Sequence, residues 1–177
     1  MQVFEAVNDF LLTYAEDIKQ DNLFWGYQNN MALPPHNNYV VISVTTTRRI
    51  GTNITDYDES EQSIYGMSTL REYVVAIDFC NEDYEPAMDL ATRIETIATS
   101  AIGVEFFKDK GMSLAYCEDA DALPFVGVDE DYIQRFRVSL HITNTVRNRV
   151  KQEYAEEVNF DNEKSRIENV DVHHKPK

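Results

Sequence analysis

The sequence predicts an α+β protein: a mostly antiparallel four-stranded sheet, two helices packed on one of its faces, a long hairpin loop between the first two strands, and an extended C-terminal arm. Three observations predict it. Tyr39–Thr47 and Tyr132–Thr145 alternate apolar and polar side chains with the period of two that a strand imposes, and Arg71–Phe79 is a third β-rich run. The N-terminal segment and the segment after Asn81 instead place apolar residues at spacings of three and four, the mark of an amphipathic helix. The order is helix, strand, loop, strand, helix, strand, strand, with the helices interspersed among antiparallel-looking strands.

The first helix carries Val3, Val7, Phe10, Leu11, Tyr14 and Ile18 on one stripe, with Glu5, Asp9, Glu16 and Asp17 largely outside it. Asn22–Asn38 reads as a connector rich in Asn and broken by Pro34-Pro35; Phe24, Trp25 and Tyr27 in it need cover. In the strand Tyr39–Thr47, Val40, Ile42 and Val44 face one way and Val41, Ser43 and Thr45 the other. A polar stretch from Arg48 to Thr69 follows, far longer than the roughly 2–5 residues of most hairpin loops. Arg48, Arg49 and Arg71 stand at its roots, and Asp56, Asp58, Glu59 and Glu61 near its tip. The next strand is apolar on both faces and is expected to be central. Asp83 is placed to cap the second helix, Pro86 fits its first turn, and Leu90, Ala91, Ile94, Ile97, Ala98 and Ala101 form its stripe, with Gly103 as the stop and fraying toward Phe107. Met112–Cys117 is a short strand, Glu118–Pro124 an acidic turn, and Tyr132–Thr145 the last strand. Val41, Val74, Ala76, Arg135, Arg137 and His141 fall on the face away from the helices, a mixture suited to cover by a partner.

With 177 residues, 43% of them hydrophobic, the chain suits one domain with an appendage. No apolar run approaches the roughly 20 residues of a membrane span, and the N-terminus lacks the pattern of a signal peptide, so a cytosolic site of synthesis and first use is expected. Cys80 and Cys117 are expected to be reduced and structural. The net charge is −15. From Arg147 onward seven basic residues match seven acidic ones, so the whole excess lies in the first 146 residues. Such a body repels nucleic acid. The tail from Asn148, with Tyr154, Val158, Phe160, Ile167, Val170 and Val172 as its larger apolar residues, cannot form its own core. It is either a disordered tail or an arm that orders against a neighbouring subunit.

No phosphate loop, nucleophile elbow, H-E-x-x-H or C-x-x-C is present. His173-His174 lacks the further ligands of a zinc site, and the D-x-D pairs (Asp56 and Asp58, Asp119 and Asp121) lack the glycine and terminal Glu of an EF-hand. No catalytic, cofactor or metal residue is therefore assigned, and no cofactor is expected. Arg48-Arg49 is read either as a solvated strand end or as an interface anchor for carboxylates.

The run FWGYQNNMALPPHNNYVVISVTTTRRIGTN at Phe24–Asn53, followed by REYVVAIDF, PAMDLATRIETI and YIQRFRVSLHI, resembles the neck and tail terminator proteins of tailed bacteriophages. The resemblance covers Met1–Val146. It implies a non-enzymatic virion subunit, assembled in the bacterial cytoplasm. Such a subunit forms a ring, commonly six-fold, that ends the tail tube and meets the sheath and the head-completion or connector protein. DNA passes through the lumen without specific binding. On that reading Arg48, Arg49, Asp56, Asp58, Glu59, Glu61, Arg71 and, in the arm, Phe160 are interface candidates. The body would be residues 1–146 and the arm 147–177. A minor tail or head-completion adaptor, and a small enzyme using surface carboxylates, are the alternatives.

Overall fold

The computed structural model describes residues 2–27, 38–57, 64–126 and 132–151. It is α+β, with helices α1 (Gln2–Tyr14), α2 (Tyr84–Ala98) and α3 (Ala101–Asp109), and strands β1 (Leu23–Trp25), β2 (Tyr39–Arg49), β3 (Ile54–Tyr57), β4 (Ile64–Asn81), β5 (Ser113–Cys117), β6 (Asp121–Ala122), β7 (Phe125–Val126) and β8 (Tyr132–Lys151). The main path through the sheet runs β1-β2-β4-β8-β5. One compact unit comprises Met1–Thr52 and Thr69–Val146; β3 with the β4 residues up to Ser68, and the end of β8 from Arg147, belong to a second. No helix among the described residues is long and apolar enough to cross a membrane.

Among the described residues the expected four strands, β2, β4, β8 and β5, are consecutive in an eight-stranded mixed sheet. The aromatic connector supplies an additional strand: β1 pairs in parallel with β2, Leu23 opposite Val40 and Trp25 opposite Ile42. Gly26 permits that approach, because a Cβ there would lie 1.9 Å from Ser43 Oγ. Trp25 packs edge-on against Phe4 of α1 with ring centroids 4.4 Å apart, so the cover its aromatic character calls for comes from the first helix. The described part of the long polar stretch is largely strand. β2 runs to Arg49, and β3 pairs antiparallel with the start of β4, Ile54 opposite Ser68 and Tyr57 opposite Tyr65. Residues 58–63, between β3 and β4, lie outside the described residues.

Two helices become three because the second is broken at Thr99-Ser100. The Ser100 hydroxyl accepts the Ile102 N–H at 3.2 Å and opens α3, a role for which serine is well suited. Gly103 is therefore inside a helix rather than its stop. Asp83 occupies the cap position of α2, but its side chain makes no cap bond; Asn81 Oδ1 accepts the Asp83 N–H instead. α1 ends at Tyr14, before the expected Ile18, although Ile18 still joins the core.

The helices pack on the face of the sheet bearing Val40, Ile42, Val75, Ile77, Phe79, Phe136, Val138, Leu140 and Ile142. Phe10 of α1 meets Phe106 and Phe107 of α3 at 5.3 and 5.2 Å between centroids, locking two helices together through tilted and edge-on ring contacts. β8 continues to Lys151, past Val146, where the expected body–arm boundary and the end of the first compact unit coincide.

Candidate functional site

Alternation along β2, β4 and β8 directs a second set of side chains to the face without helices. In a half-buried sheet that set is usually solvated. Here it holds the buried polar residues Ser43, Glu72, Asp78, Ser139 and His141, together with Ala76 and Cys80. Arg48, Tyr116 and Arg137, each from a neighbouring strand, lie against Glu72, His141 and Asp78 in turn.

One chain of contacts crosses the sheet. Arg48 on β2 donates its Nε–H to Glu72 Oε2 on β4. Glu72 Oε1 lies 2.9 Å from His141 Nδ1 on β8, and His141 Nε2 lies 3.0 Å from Glu118 Oε1, just beyond β5. The Tyr116 ring lies flat on the imidazole, 3.8 Å between centroids and 17° between planes. The Arg48 hydrogen bond, then that of His141, holds the Glu72 carboxyl below the ordinary range. Hydrogen bonds from Ser139 and then His141 do the same for Glu118. Ionised carboxylates only accept, so both contacts are satisfied together when both ring nitrogens carry hydrogen.

A second pair lies along the same two central strands. Arg137 donates Nε–H and Nη2–H to the two carboxylate oxygens of Asp78, each at 2.8 Å. Asp78 meets Arg137 and Glu72 meets His141, so numbers fall on β4 as they rise on β8, the antiparallel sense. Arg135 donates to the Leu123 carbonyl at 2.9 Å and lies over the Phe125 ring. Burial pushes the Cys80 thiol up to about 11 and, with nearby carboxylates, the Cys117 thiol up to about 12; both cysteines are free. Neither has the depressed value of a nucleophilic thiol. Among the described residues no group of three or more His, Cys, Asp and Glu is placed to hold a metal ion.

The structure separates the candidates that sequence grouped. Arg48 and Arg49 are adjacent in the chain but point to opposite faces. Arg48 meets the carboxylate of Glu72 in its own chain. Arg49 stands directly opposite Arg71 on β4. Asp56 is in β3, opposite Gly66. Asp58, Glu59, Glu61 and Phe160 lie outside the described residues. Sequence reasoning missed Glu72 and Glu118 as the partners of His141, and Asp78 as the partner of Arg137. The available signal was parity: Glu72 and Asp78 share a face of β4, as Arg137, Ser139 and His141 share one of β8.

The sequence matches, over residues 1–167, the family described as phage neck terminator protein, a span that runs past Val146 into the C-terminal segment. No curated protein matches the chain.

Proposed function

The chain belongs to the phage neck terminator protein family, and from that premise we propose that it is a structural subunit that assembles into a closed ring, commonly six-fold, at the top of the tail tube. The ring ends tube growth and provides the surface on which the head-completion or connector protein docks. DNA passes through its lumen without specific binding. The family match over residues 1–167 carries this reading.

The chemistry of the open sheet face supports a structural role. Its histidine among the described residues, His141, has a carboxylate at each ring nitrogen, and Arg48 and Arg137 are paired with Glu72 and Asp78. Such a network fixes the order and register of four strands. The net charge of −15 supports the passage of DNA, because a lumen of that sign does not bind phosphate. A ring requires a heterologous contact that closes on itself. The proposed contact residues are Arg48, by its exposed flank, Arg49, Arg71, the acidic positions Asp56, Asp58, Glu59 and Glu61, and Phe160 of an arm spanning residues 147–177 that reaches a neighbouring subunit.

Negative-stain imaging of the full chain with tail tubes tests the proposal. Rings seated at tube ends are expected. A chain that stays monomeric and leaves tube length unchanged would sink it, and binding to a head-completion protein without any ring would point to an adaptor.

A further inference from the structure

Arg49 and Arg71 are direct cross-strand neighbours. Like charges in that position repel and weaken a strand pair. No ion pair or side-chain hydrogen bond among the described residues relieves either guanidinium. Beside them Ile50 and Leu70, joined by a hydrogen bond from the Ile50 N–H to the Leu70 carbonyl, are 46% and 40% exposed. Unpaired arginines with exposed aliphatic neighbours have the composition of a docking anchor.

The other end of the same strand pair has the opposite sign. There Tyr39 pairs with Cys80, and the exposed carboxylates Glu82, Asp83 and Glu85 follow at once around Tyr84, which is 51% exposed. No basic residue lies between Asn81 and Asp89. At about 3.3 Å per residue, β4 carries Arg71 and Asn81 about 33 Å apart, so the two ends of one chain do not neutralise each other.

We propose that Arg49 and Arg71 of one copy dock on the Glu82, Asp83 and Glu85 carboxylates of a second copy, head to tail. This rests on the ring-forming reading above and names the contact that closes the ring. A second copy fits better than DNA. The chain has 31 acidic residues against 16 basic ones, so phosphate meets net repulsion, whereas another copy presents a localised acidic end to two bidentate forks. Two different patches in contact make a heterologous interface, which repeats around a ring.

The test compares full-length chains by sedimentation velocity and negative-stain imaging, alone and with tail tubes. Arg49→Glu with Arg71→Glu should weaken association at least about ten-fold, as should Glu82→Lys with Asp83→Lys and Glu85→Lys; all five substitutions in one chain should restore most of it. Arg49→Gln with Arg71→Gln, checked for native circular dichroism, keeps the test informative if a charge reversal unfolds the chain; it should weaken association in the same direction. Rings formed equally well by the arginine variants overturn this inference and leave the ring reading standing. Folded variants whose combination restores nothing overturn the pairing of these two ends. A wild-type chain that never assembles overturns both readings. Labelled duplex DNA bound by wild type and not by the arginine variants would assign the pair to phosphate and overturn docking between copies.

Discussion

Asp78 on β4 and Arg137 on β8 form a two-pronged pair, with both nitrogen–oxygen distances at 2.8 Å. The Asp78 side chain is 8% exposed and that of Arg137 33%, so the carboxylate depends on this guanidinium far more than the reverse. Arg137→Met leaves a buried charge without its counterion. Breaking such a pair costs about 3–5 kcal/mol when both groups are fully buried; with Arg137 a third exposed, about 2–3 kcal/mol is expected. Replacing both together, Asp78→Leu with Arg137→Met, should cost less than Arg137→Met alone. Urea unfolding of the two variants reads this directly. A double variant less stable than the single one would mean that the charge is not what makes the single change costly.

Acid should unpick the other network. Glu72 and Glu118 are both held below the ordinary carboxyl range, Glu72 chiefly by Arg48 and Glu118 chiefly by Ser139, with His141 contributing to each. A carboxyl depressed in the folded state contributes stability that is fully present above its unfolded value, about 4.3, and is lost as the pH falls toward the lower folded value. The urea midpoint should therefore drop below about pH 4.3. Glu72→Gln with Glu118→Gln should start from a lower midpoint at neutral pH and lose less on acidification. Identical slopes for wild type and variant would show that these two carboxyls do not link folding to pH.

What sequence reveals and conceals here follows from range. The alternation of β2 and the helical stripe of α2 are local patterns, and both elements stand near where the pattern puts them. β3 has only Ile54 and Tyr57 as apolar residues, and the start of β4 contains Gly66 and Ser68, so neither announces a strand until they pair. The break at Thr99-Ser100 was hidden because apolar residues continue across it and Gly103 was the more conspicuous punctuation. Glu72 and His141 are 69 positions apart; their contact depends on strand order, which no local window contains. The divergence of Arg48 and Arg49 was legible, because period two sends neighbours to opposite faces. Treating them as one basic pair overlooked it.

The two thiols should be slow to react while the chain is folded. With Cys80 pushed up to about 11 and Cys117 to about 12, at most about one thiol in a thousand is ionised at pH 8, against roughly a quarter for a free cysteine. Labelling by an aromatic disulfide reagent should accelerate about 100-fold or more on adding denaturant. Fast labelling of the native chain would mean that the strand ends carrying Cys80 or Cys117 open readily.

Gly103 sets how closely α3 follows α2. A Cβ at this buried position would lie 2.7 Å from both Ala98 Cα and the Ile97 carbonyl oxygen, and 2.8 Å from the Ala98 carbonyl oxygen. All three are main-chain atoms, which cannot swing aside as a side-chain tip can. Two effects oppose each other in Gly103→Ala. Alanine is the better helix former by about 1 kcal/mol. Overpacking costs about 1–3 kcal/mol, and contacts with backbone place this case toward the upper part of that range. The clash should win, leaving a net loss of about 1–2 kcal/mol in urea unfolding with an unchanged dependence on denaturant. The loss should also reach Phe107, because α3 carries that ring against Phe10, so near-ultraviolet circular dichroism should change with it. A Gly103→Ala chain more stable than wild type would mean that the helices part without cost and that propensity, not packing, governs the site.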